Sequence, residues 1–209
     1  MTALAVTRRP LRGAGLVAGI GLLAMSVLAG FANFGVVERV TTPADAATTV
    51  FRAGVFALVL VVLLDVLVAW ALREFFTPVH HALATLAAWF RLTYAAVFLV
   101  AIAHLADAVG DPRALARIET FRDVWHVGLI LFGVHLLLIG YLAHRSGNVP
   151  SVLGVLIAVA GLGYAVDGAG TVLVADYSAD LAAFTFVGEV LFMLWLLVKT
   201  RGTAVPVMS

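Results

Sequence analysis

Four ionisable residues lie within stretches of the chain that are otherwise apolar. They are Asp65, Arg91, Asp167 and Glu189. A charged side chain near the centre of a lipid bilayer costs about 2.5–3.5 kcal/mol on insertion scales. Each of the four therefore needs an opposite charge, a water-filled cavity or a proton. We take them as the first candidates for a ligand site or an ion pathway within a membrane.

Asp65 and Arg91 flank a predicted helical turn near Thr77, twelve residues before it and fourteen after it. At the helical rise per residue, both side chains lie about 18–21 Å from the turn, on neighbouring antiparallel helices. The spacing predicts a buried ion pair, which Tyr94, one turn after Arg91, could join. His135, near the middle of a later apolar segment, is expected to face the same polar interior. The pair could serve transport or ligand binding, or it could only fix the register of two helices.

Asp167 and Glu189 flank a second predicted turn, at residues 176–178. Both should lie about 12–17 Å below the outer membrane surface. Two carboxylates at similar depth repel each other, so one is expected to hold a proton, as in a proton relay or a cation site. The alternative is a neutral acid that is hydrogen-bonded to Tyr164 or to Thr185.

The histidines suggest a minor alternative, a b-type haem redox protein. His104 with His126 could ligate a haem near the outer side, and His80 or His81 with His144 could do so near the inner side. However, His80 and His81 point away from the His104 face of their helix by more than a right angle. We therefore expect no cofactor and no metal site.

Composition excludes several other kinds of chemistry. The 209 residues are 63% hydrophobic and only 12% charged, whereas soluble domains carry about 25% charged residues. The absence of cysteine removes disulfides, iron–sulfur ligation and thiol nucleophiles. No serine–histidine–acid arrangement or zinc-binding box occurs, so we expect no enzyme. With a net charge of +1, no nucleic-acid partner is expected.

Six segments are long and apolar enough to cross a bilayer, which takes about 20 residues. They cover residues 13–37, 51–72, 78–106, 124–142, 149–174 and 181–198. The sequence thus predicts a single all-α domain over residues 1–209, a polytopic membrane protein with six transmembrane helices in a bundle. Charged residues at 107–123 predict a short amphipathic surface helix, and the glycines of the fifth segment predict close helix packing.

The charge of the connecting loops predicts the orientation. One side carries seven basic residues and a single acid, Glu74, whereas the other carries five arginines and eight acids. The seven basic residues are Arg8, Arg9, Arg12, Arg73, Arg145, Lys199 and Arg201. We therefore expect a multi-pass protein of the cell inner membrane with both termini in the cytoplasm.

Several short stretches resemble a bacterial family of small multi-span membrane proteins that is known as a domain of unknown function. They are RLTYA at 91–95, HLLLIGYL at 135–142, RSG at 145–147, VP at 149–150 and AGLGY at 160–164. The resemblance covers nearly the whole chain. It implies a six-helix fold and marks Arg91, His135 and Arg145 as family features, and it implies no activity.

These patterns favour an integral membrane protein whose polar interior suits transport of a small solute or ion, or ligand binding. The alternative is a non-catalytic structural or regulatory membrane subunit. The expected partners are the lipid bilayer, a small solute or ion and, as a further candidate, a second copy of the chain in a homo-oligomer.

Overall fold

A computed structural model describes the backbone of residues 3–179, 181 and 185–201, with side chains from residue 12 to residue 199 of that part. Its long helices are α1 (Ala3–Gly30), α2 (Thr49–Ala108), α3 (Ala114–Arg145), α4 (Ser151–Leu173) and α5 (Val187–Arg201). A π-helical turn, Phe31–Val36, and a 3-10 turn, Val37–Arg39, continue α1. The described residues contain no β-strand, which confirms the all-α class.

The helix α2 is a hairpin of two limbs. Its backbone leaves helical geometry at His80, where φ is −162° and ψ is 100°, which separates residues 49–79 from residues 81–108. Arg73 Nε donates a hydrogen bond across the hairpin to Thr85 Oγ1 at 3.2 Å. Arg73 and Thr85 lie six residues before and six residues after residue 79. A contact between them shows that the chain reverses there, so the two limbs run antiparallel, as predicted for the second and third spans.

The second limb begins later than the sequence predicts. We expected its N-cap at Thr77, followed by Pro78, but the Thr77 hydroxyl donates to the Arg73 carbonyl at 2.7 Å, within the first limb. The cap is His80 instead, whose Nδ1 accepts a hydrogen bond from the Leu83 N–H at 3.3 Å. An imidazole nitrogen satisfies a free N–H at a helix start as a Ser, Thr, Asp or Asn oxygen does, but histidine is not a usual cap signal.

Four helical stretches are long and apolar enough to cross a membrane: Arg12–Arg39, Thr49–Ala108, Ala114–Arg145 and Ser151–Leu173. Since the second of these, with 60 residues, folds back at His80, it can supply two crossings. The described part of α5 has 15 residues, fewer than the roughly 20 of a full span. The start of the predicted sixth span, at 182–184, lies outside the described residues, as do the side chains of Arg8, Arg9 and Arg201.

The charged segment before the fourth span does not form a separate surface helix. It forms the first turns of α3, which begins at Ala114 rather than at residue 124. Asp111 precedes this start and accepts a hydrogen bond from the Arg113 N–H at 2.8 Å and one from Arg117 Nε at 3.3 Å. These contacts, above all the Arg113 N–H, lower the pKa of the Asp111 carboxyl. Helix α3 therefore begins within the charged segment, before its apolar part starts.

Glycines bring the backbones of α3 and α4 into direct contact. A Cβ atom added to Gly133 would lie 2.6 Å from the Gly161 carbonyl oxygen, and one added to Gly140 would lie 2.7 Å from the Gly154 carbonyl oxygen. The glycines are seven residues apart on each helix, so they recur on one face, and the pairing is antiparallel. We call these four residues the glycine seam. It confirms the close packing that the glycine content predicts.

Candidate functional site

The predicted ion pair is present at the centre of the molecule. Arg91 Nη2, on the second limb of α2, lies 2.7 Å from Asp65 Oδ1 on the first limb. Both residues are only 1% exposed. The two residues meet as predicted because the helical rise and the position of the turn fix the depth of both.

His135 joins this pair from α3. Its Nε2 lies 3.2 Å from Arg91 Nη1, and its Nδ1 lies 2.8 Å from the Ala87 carbonyl oxygen. A guanidinium only donates hydrogen bonds, so Nε2 must accept and Nδ1 must carry the proton that is donated to Ala87. The imidazole is therefore neutral. It links the second limb of α2 to α3 without adding a charge.

Arg91 also contacts two apolar side chains. Its Nη2 lies 3.7 Å from the Met25 sulfur on α1, and its guanidinium carbon lies 5.4 Å from the centre of the Phe132 ring on α3. A cation over an aromatic ring is attracted to the negative face of the ring. One arginine thus holds together α1, both limbs of α2 and α3.

A cavity of about 20 Å³ adjoins the arginine and brings in the fourth member of the site, Glu189. Arg91, His135 and Glu189 line it together with apolar residues, namely Leu22, Leu72, Leu136, Ile139, Ile157 and Phe192. A space of this size holds about one water molecule. The Tyr164 side chain on α4 lies beside the Glu189 carboxyl. We call Asp65, Arg91, His135 and Glu189 the Arg91 cluster.

Apart from Asp65 Oδ1, which has its ion-pair contact with Arg91, two polar atoms of the cluster have no partner among the described residues. They are Asp65 Oδ2 and Arg91 Nε, both of which are buried. Buried polar atoms in folded proteins are nearly always hydrogen-bonded, and exceptions occur often at functional sites. The ion pair is therefore closed on one side only, and the cluster retains capacity to bind a further polar group.

Tyr94 borders the cluster and has a different partner from the one that the sequence suggests. Its hydroxyl accepts a hydrogen bond from Trp125 Nε1 at 3.1 Å. Its ring stacks on Phe98, with centroids 5.8 Å apart, and packs at a tilt against Phe132 at 4.8 Å. Tyr94 thus belongs to an aromatic layer beside the cluster.

Asp167 lies in different surroundings from Glu189. It is 8% exposed, and its Oδ1 accepts a hydrogen bond from the Tyr177 hydroxyl at 2.8 Å. A tyrosine thus lies beside each acid, and the neutral-acid interpretation stays a prediction. Tyr164 lies beside Glu189, and Tyr177 lies in a turn whose geometry the sequence does not reveal.

The candidate haem histidines also have separate surroundings. His81 Nε2 lies 3.3 Å from Arg73 Nη2, and the His126 ring packs against the neighbouring Trp125 at 6.0 Å. His104 Nδ1 is buried without a hydrogen-bond partner in the described part of the chain. No three His, Asp or Glu side chains of that part form a group that could hold a metal ion.

Comparisons with known proteins bear on the whole bundle. An uncharacterized protein of Archaeoglobus fulgidus is 37% identical to the chain over 142 residues, which are 68% of this chain and 80% of the relative. That relative is archaeal, so the kinship is not confined to bacteria. No solved structure matches the chain. Residues 17–200, which include every member of the Arg91 cluster, match a family described as a domain of unknown function. The chain therefore belongs to the DUF4386 family.

Proposed function

We propose that the protein binds a proton at the Arg91 cluster and moves protons, or a small solute or ion coupled to them, across a cell membrane. The observation that carries the proposal is the charge balance of the cluster. Arg91 and Asp65 cancel each other, and His135 is neutral by its hydrogen bonds. The cluster is then neutral when Glu189 holds a proton and carries one net negative charge when it does not.

This balance supplies a coupling mechanism. An uncompensated charge in a low-dielectric interior is costly. Loss of the proton from Glu189 therefore favours a state in which a cation or water enters beside Arg91. The unsatisfied Asp65 Oδ2 offers an acceptor for such a species. The cavity of about 20 Å³ leaves room for one water and for no larger solute in this state, so transport of a larger solute requires the helices to move.

The first test is whether Glu189 holds a proton at neutral pH. Infrared spectroscopy of the purified protein should show the C=O stretch of a protonated carboxylic acid, and Glu189→Gln should remove it. Glu119→Gln is the matched control, because Glu119 is exposed at the start of α3. A spectrum in which Glu189→Gln and Glu119→Gln both match the wild type would contradict the proposal.

We further propose six spans with both termini in the cytoplasm. The α2 hairpin supports this proposal, since its two limbs can supply two crossings. The excess of basic residues at one set of loops supports it as well. Reporter fusions after Asp45, Arg117 and Ser178 should then map outside the cell, and fusions after Pro78 and Gly147 and at the C-terminus should map inside. A cytoplasmic signal from the Arg117 fusion would overturn the orientation.

A second candidate is a non-catalytic structural or regulatory subunit of the membrane. The tight packing around the ion pair favours it, because a purely architectural pair would leave only a small cavity beside it. The two candidates differ in what Glu189 does. If Glu189→Gln leaves both the spectrum and proton movement unchanged, the structural role is the better explanation.

A further inference from the structure

A second, larger pocket lies away from the Arg91 cluster, where the first membrane-length stretch ends at Arg39 and the second begins at Thr49. It has a volume of about 290 Å³, and Arg39, Asp45 and Thr48 line it together with apolar side chains. We call it the α1–α2 pocket. Pockets for small molecules measure about 300–1,000 Å³, so this one has room for a small polar group. Because both stretches end there, it lies at the level where lipid head groups meet water.

Arg39 brings a positive charge to this pocket. Its Nε donates a hydrogen bond to the Phe34 carbonyl oxygen at 3.3 Å, and this oxygen belongs to the π-helical turn that continues α1. Such turns occur frequently at functional sites. A guanidinium has five N–H donors, and the described residues offer no hydrogen-bond partner to the four on Nη1 and Nη2. These form the planar fork that suits a phosphate group.

Asp45 brings a negative charge to the same pocket. Its Oδ2 accepts hydrogen bonds from the N–H groups of Thr41 and Thr42, at 3.1 and 2.8 Å, and from the hydroxyls of both residues. The Thr42 N–H above all lowers the pKa of this carboxyl, so the group is ionised at neutral pH. All four contacts fall on Oδ2, which leaves Oδ1 available to a further donor.

The two charges share the pocket without neutralising each other. Both residues lie in the described part of the chain, and no ion pair joins Arg39 to Asp45 there. A ligand that carries both an anionic and a cationic group would satisfy the two side chains at once. The surroundings favour a lipid over a soluble zwitterion, because Phe34 and Val50 beside the pocket are 69% and 58% exposed, as side chains that face acyl chains are.

We infer that the α1–α2 pocket binds the head group of a phospholipid that carries a primary amine. The phosphate lies on the Nη groups of Arg39, the ammonium donates to Asp45 Oδ1, and the acyl chains run along the apolar side chains of α1 and α2. A charged pocket at the edge of the bilayer is a common form of lipid recognition. The inference goes beyond the proposed function and does not depend on it, because none of the Arg91 cluster lines this pocket.

The test titrates the full chain in detergent with three lipids that share their acyl chains, and counts bound lipid by native mass spectrometry. They are phosphatidylethanolamine, phosphatidylcholine and phosphatidylglycerol. The wild type should bind phosphatidylethanolamine about tenfold more tightly than the other two, which is the usual effect of one charge-assisted hydrogen bond. The quaternary ammonium of phosphatidylcholine has no N–H to donate, and phosphatidylglycerol has no amine.

Two variants separate the two halves of the head group. Arg39→Gln should weaken all three lipids about tenfold, because all three carry the phosphate. Asp45→Asn should remove the preference for phosphatidylethanolamine, and it keeps an amide oxygen that can accept from the loop N–H groups. Arg52→Gln and Glu38→Gln are the matched controls, because both residues are exposed nearby and do not line the pocket. Both should leave the three affinities unchanged.

Several outcomes would overturn the inference. Equal binding of the three lipids to the wild type would do so without recourse to any variant, and so would equal affinities of Arg39→Gln and Arg52→Gln. Tighter binding of phosphatidylglycerol would indicate a site for anions alone. If glycerophosphoethanolamine, which lacks acyl chains, displaces phosphatidylethanolamine at equal concentration, the pocket serves a soluble zwitterion and the lipid assignment is wrong.

Discussion

Replacing Asp65 or Arg91 alone is expected to lower the free energy of unfolding by about 3–5 kcal/mol, because each change leaves an uncompensated charge in the protein interior. The change should be seen as a loss of thermal stability and of folded yield for Asp65→Ala and for Arg91→Ala. Glu74→Ala is the matched control. It breaks the Arg73–Glu74 pair, which is partly exposed, and exposed pairs contribute at most about 1 kcal/mol.

The double variant distinguishes a pair from two separate sites. Asp65→Ala with Arg91→Ala should be less destabilised than the sum of the single losses, because the penalty is for the unpaired charge. A double-mutant cycle measures this difference. Strictly additive losses would mean that the two side chains do not depend on each other. If stability returns but proton entry in liposomes does not, the pair serves function as well as packing.

The glycine seam should tolerate no side chain. We expect Gly161→Ala to destabilise the protein by about 1–3 kcal/mol or more, the usual cost of overpacking. The added methyl group would lie 2.6 Å from the Gly133 carbonyl oxygen, and backbone cannot move aside as a flexible side chain can. Thermal unfolding in detergent is the measurement, and Gly133→Ala should show the same loss from the other helix.

Gly30→Ala is the control for this experiment. Gly30 ends α1, and a Cβ atom there meets nothing within 4 Å. Alanine in open helical space stabilises a protein by a few tenths of a kcal/mol to about 1 kcal/mol, because it restricts the unfolded chain. Equal behaviour of Gly161→Ala and Gly30→Ala would show that α3 and α4 are not held at the distance described.

The parts of the site that could be predicted follow from spacing along the chain. Asp65 and Arg91 meet because a tight hairpin fixes the depth of both residues. The partner of Glu189 could not be predicted in the same way. It depends on how α5 is rotated against α4, and a helix that is apolar on every side gives no periodic signal of rotation. The sequence therefore shows Tyr164 near Asp167 on α4 but not its approach to Glu189.

Loop and cap chemistry set a second limit. The Tyr177–Asp167 bond depends on a short non-helical turn after α4, and residues 182–184 beyond it lie outside the described part. The helix start at His80 uses an imidazole where a hydroxyl or a carboxyl is the usual signal. The hydrophobic pattern predicts the start of α3 ten residues too late, because it marks where a helix meets lipid and not where its backbone hydrogen bonds begin.

The hairpin of α2 also bears on the order in which the protein is made. Asp65 and Arg91 belong to the two limbs of one hairpin, Thr49–Ala108, so both charges leave the ribosome before His135 and Glu189 exist. A nascent hairpin that enters the bilayer as a unit carries its own counter-charge, which removes most of the insertion cost of an isolated arginine. The two later members of the cluster then assemble around a guanidinium that is already neutralised. Biogenesis and the final site thus depend on the same salt bridge.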